Sequence, residues 1–169
     1  MPRLFFGLSP DHSIRHTLVE VSRHAGITDG IPVIEGNLHM TVQFLGAVAM
    51  AQQEQLINTA AWVSVSSFTL LIDRSGWWSR PRILWLAPGE VPEALMSLHT
   101  AIGGLMEPCG IPVEARPYTP HITLARKVNR AINLEFEPIQ WRVNEFYLFE
   151  SITHSGYVEY QIIQRWPLT

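Results

Sequence analysis

The chain has 169 residues, 47% of them apolar and 16% charged, with a formal net charge of −3 at pH 7. That is enough apolar material for one domain, or for two small lobes sharing a core, and it excludes a disordered chain. It also excludes a globally basic nucleic-acid binder, so a nucleic-acid partner must be held by a local patch.

Cys109 is the only cysteine. It excludes an intramolecular disulfide and a cysteine metal cluster, and it fits a reducing compartment. The start, MPRLFFGLSPDH, lacks the apolar run and cleavage site of a signal peptide. The charge-free stretch 55–72 carries Asn58, Thr59, Ser64, Ser66 and Ser67. It reads as a helix end, a turn and a strand rather than a membrane span. A soluble, cytoplasmic protein is expected.

In chain order, Arg3–Leu8 reads as a buried strand. Ser9, Pro10 and Asp11 open a helix over 10–25, with Ile14, Leu18, Val21 and Ala25 at helical spacing. Gly30-Ile-Pro-Val leads into Asn37–Gly46, NLHMTVQFLG, a strand. Alternation sends Leu38, Met40, Val42 and Phe44 to the core, and His39, Thr41 and Gln43 to a cleft. Met50–Trp62 reads as a second helix and Phe68–Asp73 as a strand. Arg74–Arg82 reads as a loop with three arginines and two tryptophans, and Ile83–Leu86 as a strand. Glu90–Pro108 is a third helix with a stripe of Leu95, Leu98, Ile102, Leu105 and Met106. A second Gly-Ile-Pro-Val leads to the strand PHITLAR, 120–126. Trp141–Glu150 and Tyr157–Trp166 read as the closing strands.

The order contains a duplication. RLFFGLSP resembles RILWLAP, a helix follows each, then the identical Gly-Ile-Pro-Val at 30–33 and 110–113, then His-x-Thr. The expectation is one domain over 1–169 with strand–helix–strand repeats at 3–46 and 82–126. A pseudo-twofold axis between them would bring His39 and His121 together.

Two opposed imidazoles suit general acid–base catalysis, since one accepts a proton while the other donates. Thr41 and Thr123 add hydroxyls on the same faces, and a nearby arginine would stabilise developing negative charge. Phosphodiester cleavage needs this set, and none of it requires a metal.

These residues resemble a known family. NLHMTVQFLG and PHITLAR, with the Arg-Leu-Phe-Phe start and the Arg-Trp-Pro-Leu-Thr end, look like the 2H phosphoesterase superfamily. Within it, they are most similar to the RNA 2′,3′-cyclic phosphodiesterases, formerly described as 2′-5′ RNA ligases. The resemblance implies a bilobal α+β fold, with antiparallel sheets lining a central groove and helices outside. It implies hydrolysis of a 2′,3′-cyclic phosphate on RNA ends or nucleotides to a 2′-phosphomonoester. It makes His39 and His121 the catalytic pair and Thr41 and Thr123 phosphate ligands; within the pair we assign His39 as the proton donor and His121 as the proton acceptor. Arg126 matches the family's arginine after the second motif. Strict alternation turns it away from His121, so a bulge, a long reach or a structural role is required. The alternatives are 2′-5′ ligation at the same site and a non-catalytic RNA-binding module. No cofactor or metal is implied, and a monomer is expected.

Other candidates divide. Arg74, Trp77, Trp78, Arg80 and Arg82 form the most nucleic-acid-like patch, or else a surface loop packed on the second lobe. Tyr118 stacks a base or rims the strand entry, and one of Phe5 and Phe6 faces the groove. His12 and His16 have metal-binding spacing without a third ligand, and read as a solvated helix face. His24, His99 and His154 read as surface or helix-end residues.

Overall fold

The computed structural model describes residues 1–169. Its strands are β1 (Arg3–Leu8), β2 (Ile31–Pro32), β3 (Met40–Ala47), β4 (Phe68–Trp78), β5 (Ile83–Pro88), β6 (Ile122–Arg126), β7 (Ile139–Val143), β8 (Glu145–Thr153) and β9 (Val158–Pro167). Its helices are α1 (His12–His24), α2 (Met50–Ala60) and α3 (Glu93–Met106). Helix α1 starts later than Ser9-Pro10 predicts. Asp11 is its N-cap, with Oδ1 accepting from the Ile14 N–H at 2.9 Å. Its carboxylate adds a favourable charge at the helix start. Ser9 instead accepts from the Arg15 guanidinium at 2.7 Å.

The strands form one antiparallel sheet in the order β7-β4-β5-β6-β3-β1-β8-β9, with the short β2 pairing with β6. The order is symmetric about its centre. In each half a motif strand (β3 or β6) pairs with the strand that precedes its helix (β1 or β5), and two outer strands complete the half. The two motif strands, β3 and β6, meet at one residue pair, Met40 with Ile122. These are the middle residues of the two His-x-Thr motifs.

The helices interlock the halves. Helix α3, from the second half, packs on β3 of the first, and α1, from the first, packs on β6 and β7 of the second. One core cluster runs beneath both, including Leu4, Phe6, Leu18, Met40, Leu98, Ile102, Ile122 and Leu124.

Two strand expectations are corrected. The run 74–82 is not a loop, because β4 continues to Trp78 and pairs with β5 throughout. Gly76 allows this, since a Cβ there would overlap the Trp85 ring. Only residues 79–82 turn. The run 141–150 is not one strand either. Asn144 divides it into β7, which pairs with β4, and β8, which pairs with β1 at the other side of the sheet. An unbroken alternating pattern gives no signal of such a change of neighbour. No helix is long and apolar enough to cross a membrane.

Candidate active site

Each motif histidine stands one residue before its strand, and each ring is held in the same way. The His39 Nδ1–H donates to the Asn37 carbonyl at 2.6 Å, and the His121 Nδ1–H donates to the Thr119 carbonyl at 2.8 Å. A carbonyl only accepts, so Nδ1 carries the proton and Nε2 of each neutral ring is left with a free lone pair. Thr41 O–H lies 3.1 Å from the His39 Nε2 and donates to it. His39, Thr41, His121 and Thr123 are all partly exposed, while Met40, Val42, Ile122 and Leu124 between and beside them are buried. The two motifs therefore present one open face, with the apolar residues packed behind it.

Asn37 was not singled out in the sequence. It is buried, donates from Nδ2 to the Val158 carbonyl at 2.6 Å, and accepts the Tyr160 N–H at 2.9 Å. Strand β9 thus fixes the carbonyl that orients His39. Arg15 was also missed. Its guanidinium donates to the carbonyls of Pro10 and Glu35, and its charge reaches His39.

Both motif strands carry a bulge directly after the threonine. Opposite β1, Gln43 pairs with Phe6 and Thr41 with Gly7, leaving Val42 extra. Opposite β5, Ala125 pairs with Leu84 and Thr123 with Trp85, leaving Leu124 extra. A bulge reverses the alternation beyond it. Arg126 is thereby turned outward and is exposed. Its charge acts on both His39 and His121.

The same bulge corrects two expectations in β3. Gln43 does not face the groove. It is 3% exposed, and its Nε2 donates to the His99 carbonyl at 3.0 Å. Phe44 does not face the core. It is 46% exposed, with the Arg3 guanidinium 5.7 Å from its ring centre.

Tyr118 is corrected too. Its hydroxyl donates to the Thr41 carbonyl at 2.9 Å, and its ring stacks on His99 at 4.1 Å. The His99 Nδ1–H donates to the Val42 carbonyl at 2.8 Å. His99 is therefore neither a surface nor a helix-end residue. Tyr118, His99 and Gln43 form a clamp that satisfies the polar groups released by the first bulge. Burial raises the Tyr118 hydroxyl pKa well above its usual value, so it stays a donor.

Aromatic rings flank both imidazoles. Phe5 is buried, 4.9 Å from the His39 ring and stacked on Phe149, and Tyr160 meets His39 edge-on at 4.8 Å. Phe5 therefore supports His39 from behind instead of lining an open groove. Trp78 meets the His121 ring edge-on at 4.7 Å and leans on Trp85 at 5.1 Å. Both tryptophans are partly exposed. Arg80 lies on the exposed turn between β4 and β5.

The electrostatics hold both imidazoles neutral. Burial pushes the His39 pKa down to about 4, and the charges of Arg126, His121 and Arg15 act in the same direction. Burial lowers His121 as well, with Arg126 adding to it. The remaining histidines stand apart, and no three His, Cys, Asp or Glu side chains converge as metal ligands. Two open surface pockets, of about 480 and 500 Å³, are lined by no histidine.

The family model of the 2′-5′ RNA ligase superfamily matches residues 35–154, a span that contains both motifs. The chain belongs to this superfamily, the 2H phosphoesterases. Among the superfamily's relatives, the RNA 2′,3′-cyclic phosphodiesterase of Escherichia coli K12 is 32% identical over 99% of this chain and 97% of its own length. That of Aquifex aeolicus is 28% identical over 73% of this chain and 70% of its own. The crystal structure of E. coli LigT complexed with 3′-AMP superposes with a TM-score of 0.90 at 31% identity, covering 100% of this chain and 99% of LigT. The superfamily fold thus extends over the whole chain.

Proposed function

We propose that this protein hydrolyses the 2′,3′-cyclic phosphate of an RNA end or nucleotide to a 2′-phosphomonoester. The observation that carries the proposal is the matched pair of imidazoles at the junction of the two half-sheets, each with Nδ1 tied to a carbonyl and Nε2 turned to the open face, where that of His39 meets the Thr41 hydroxyl. Relatives named RNA 2′,3′-cyclic phosphodiesterase and the LigT structure with 3′-AMP supply the substrate class.

In this mechanism His121 Nε2 takes a proton from water as the water oxygen bonds to phosphorus. The bond from phosphorus to the 3′ oxygen breaks, and His39 gives that oxygen a proton from Nε2. A free 3′-hydroxyl and a 2′-phosphate result. Thr41, Thr123 and Arg126 hold the non-bridging oxygens and the charge that builds on them. The anionic substrate opposes the cationic field of Arg126 and raises the proton affinity of both rings. A weakly basic imidazole is a strong acid once protonated, which suits His39 to an alkoxide leaving group. Both halves of the site come from one chain, so the proposed form is a monomer.

The test is incubation with 2′,3′-cyclic AMP in excess EDTA, with the products separated by chromatography. The 2′-phosphate is expected. No turnover, or the 3′-phosphate as product, would contradict the proposal.

A further inference from the structure

Two exposed segments meet beside the second half of the site. Residues 79–82 join β4 to β5, and residues 126–130 include the end of β6 and the chain that leaves it. Ile83 pairs with Arg126. The Arg82 carbonyl accepts the Val128 N–H at 3.0 Å, and the Arg82 guanidinium donates to Asn129 Oδ1 at 2.8 Å. These contacts gather Arg80, Arg82, Arg126, Lys127 and Arg130 on one edge.

Those five are drawn from only 12 Lys and Arg in a chain of net charge −3. Neither segment contains a carboxylate, and all five side chains are exposed. The ion pairs in the structure involve Arg23, Arg116, His154 and Arg165, and none of the five. The Asp29 carboxylate, whose Oδ2 accepts the Asn129 N–H at 3.1 Å, offsets only part of their charge. Arg82 and Lys127 also hold positive φ, 66° and 59°. That left-handed conformation is unfavourable for a non-glycine residue. Here it falls on two cations that bracket the same pair of strand ends.

The charge is one-sided. Strands β8 and β9, which flank the His39 half, carry Glu145, Glu150 and Glu159 against Arg165 alone. The shapes differ too. At the position opposite the motif threonine the first half has Gly7, whereas the second has Trp85, beside Trp78. A partly exposed pair of tryptophans therefore leads from His121 toward the cationic edge. Stacking rings followed by unpaired cations is the arrangement that holds single-stranded nucleic acid without reading its sequence.

We propose that this edge is a track for the sugar–phosphate backbone of a single-stranded RNA whose 3′ end carries the cyclic phosphate. The terminal ribose lies at the two histidines, its base lies on Trp78 and Trp85, and the preceding phosphates run over Arg82, Lys127, Arg80 and Arg130. The inference rests on the cyclic-phosphodiesterase proposal and adds that the substrate is a chain end rather than a free nucleotide.

The experiment compares kcat/KM for 2′,3′-cyclic AMP with that for an RNA octamer ending in the same cyclic nucleotide. The variant is Lys127→Gly with Arg130→Gln, because glycine accepts the positive φ at 127. Its thermal melt is checked against the parent. In the parent the octamer should be favoured by about tenfold or more at 50 mM salt. About three phosphate contacts would reduce that advantage roughly tenfold to twentyfold by 200 mM. In the double variant the octamer-to-mononucleotide ratio should collapse toward one. An octamer advantage absent from the parent, or undiminished in the variant, overturns the track. If neither substrate is hydrolysed, it is the cyclic-phosphodiesterase proposal that fails. Fluorescence anisotropy with a 3′-hydroxyl RNA octamer then still decides the track. Salt-sensitive binding weakened at least fivefold in the variant supports it, and equal binding overturns it.

Discussion

Met40 and Ile122 are the sole residue pair joining the two motif strands, β3 and β6, at the centre of the sheet. Each is flanked by a motif histidine and a motif threonine, so the pairing sets the distance between the two half-sites. Both side chains are fully buried. Met40→Ala and Ile122→Ala should each destabilise the protein by about 2–5 kcal/mol, read by denaturant unfolding. Conservative Ile122→Val should cost roughly 0.5–1.5 kcal/mol. A neutral effect of both alanine substitutions would mean that the junction is not a structural hinge point of the core.

The proton affinities of the pair set a pH optimum. In the proposed mechanism one imidazole is protonated and its partner is neutral. His39 is pushed down to about 4, and His121 lies below its ordinary value. The singly protonated pair is therefore most populated on the acid side of neutrality. The profile of kcat/KM on a cyclic nucleotide should peak below about pH 6.5 and fall on both sides. Arg126→Met removes a positive charge that lowers both groups, so the profile should move to higher pH as its height drops. A shift to lower pH would contradict the assignment of Arg126 to the site's field.

Stability should follow the same groups with a definite sign. The unfolded His39 titrates near 6.5 and the folded one near 4, so the unfolded chain binds more protons between those values. Lowering the pH through that window destabilises the fold, by at most roughly 1.4 kcal/mol per pH unit for this one group. Denaturant midpoints measured between pH 7.5 and 4.5 should fall less steeply in His39→Leu than in the parent.

The Tyr118–His99–Gln43 clamp should act on catalysis through Thr41. Tyr118→Phe keeps the stack on His99 but leaves the Thr41 carbonyl without its donor. An unsatisfied buried acceptor costs about 1–3 kcal/mol. We expect a loss in kcat of about fivefold to a hundredfold with a smaller change in KM. His99→Gln, which retains a donor, should be milder than His99→Leu. Equal effects on kcat and KM would point to general loosening instead of a displaced threonine.

Much of the site was legible because it lies in two short apolar strands whose spacing repeats. His39, Thr41, His121 and Thr123 emerge on one face as alternation predicts, up to the bulge in each strand. Beyond it, alternation fails for Gln43, Phe44 and Arg126 alike. A bulge is fixed by the partner strand, and no local property of QFLG or LAR announces it. His99 was unreadable for a related reason. Its role depends on α3 crossing behind a strand of the other half, 57 residues away in the chain. The division of 141–150 at Asn144 is of the same kind, since a strand pattern does not say which neighbour it pairs with. The duplication, by contrast, was read from composition and order alone.

The central claim is that two half-motifs make one catalytic unit. Single-turnover rates on 2′,3′-cyclic AMP for His39→Ala, His121→Ala and the double variant test it most directly, with circular dichroism to check folding. Each single substitution should lower the rate by roughly 10²–10⁴-fold, and the double variant should be little worse than either. A single variant retaining near-parental rate, or losses that multiply fully in the double, would contradict it.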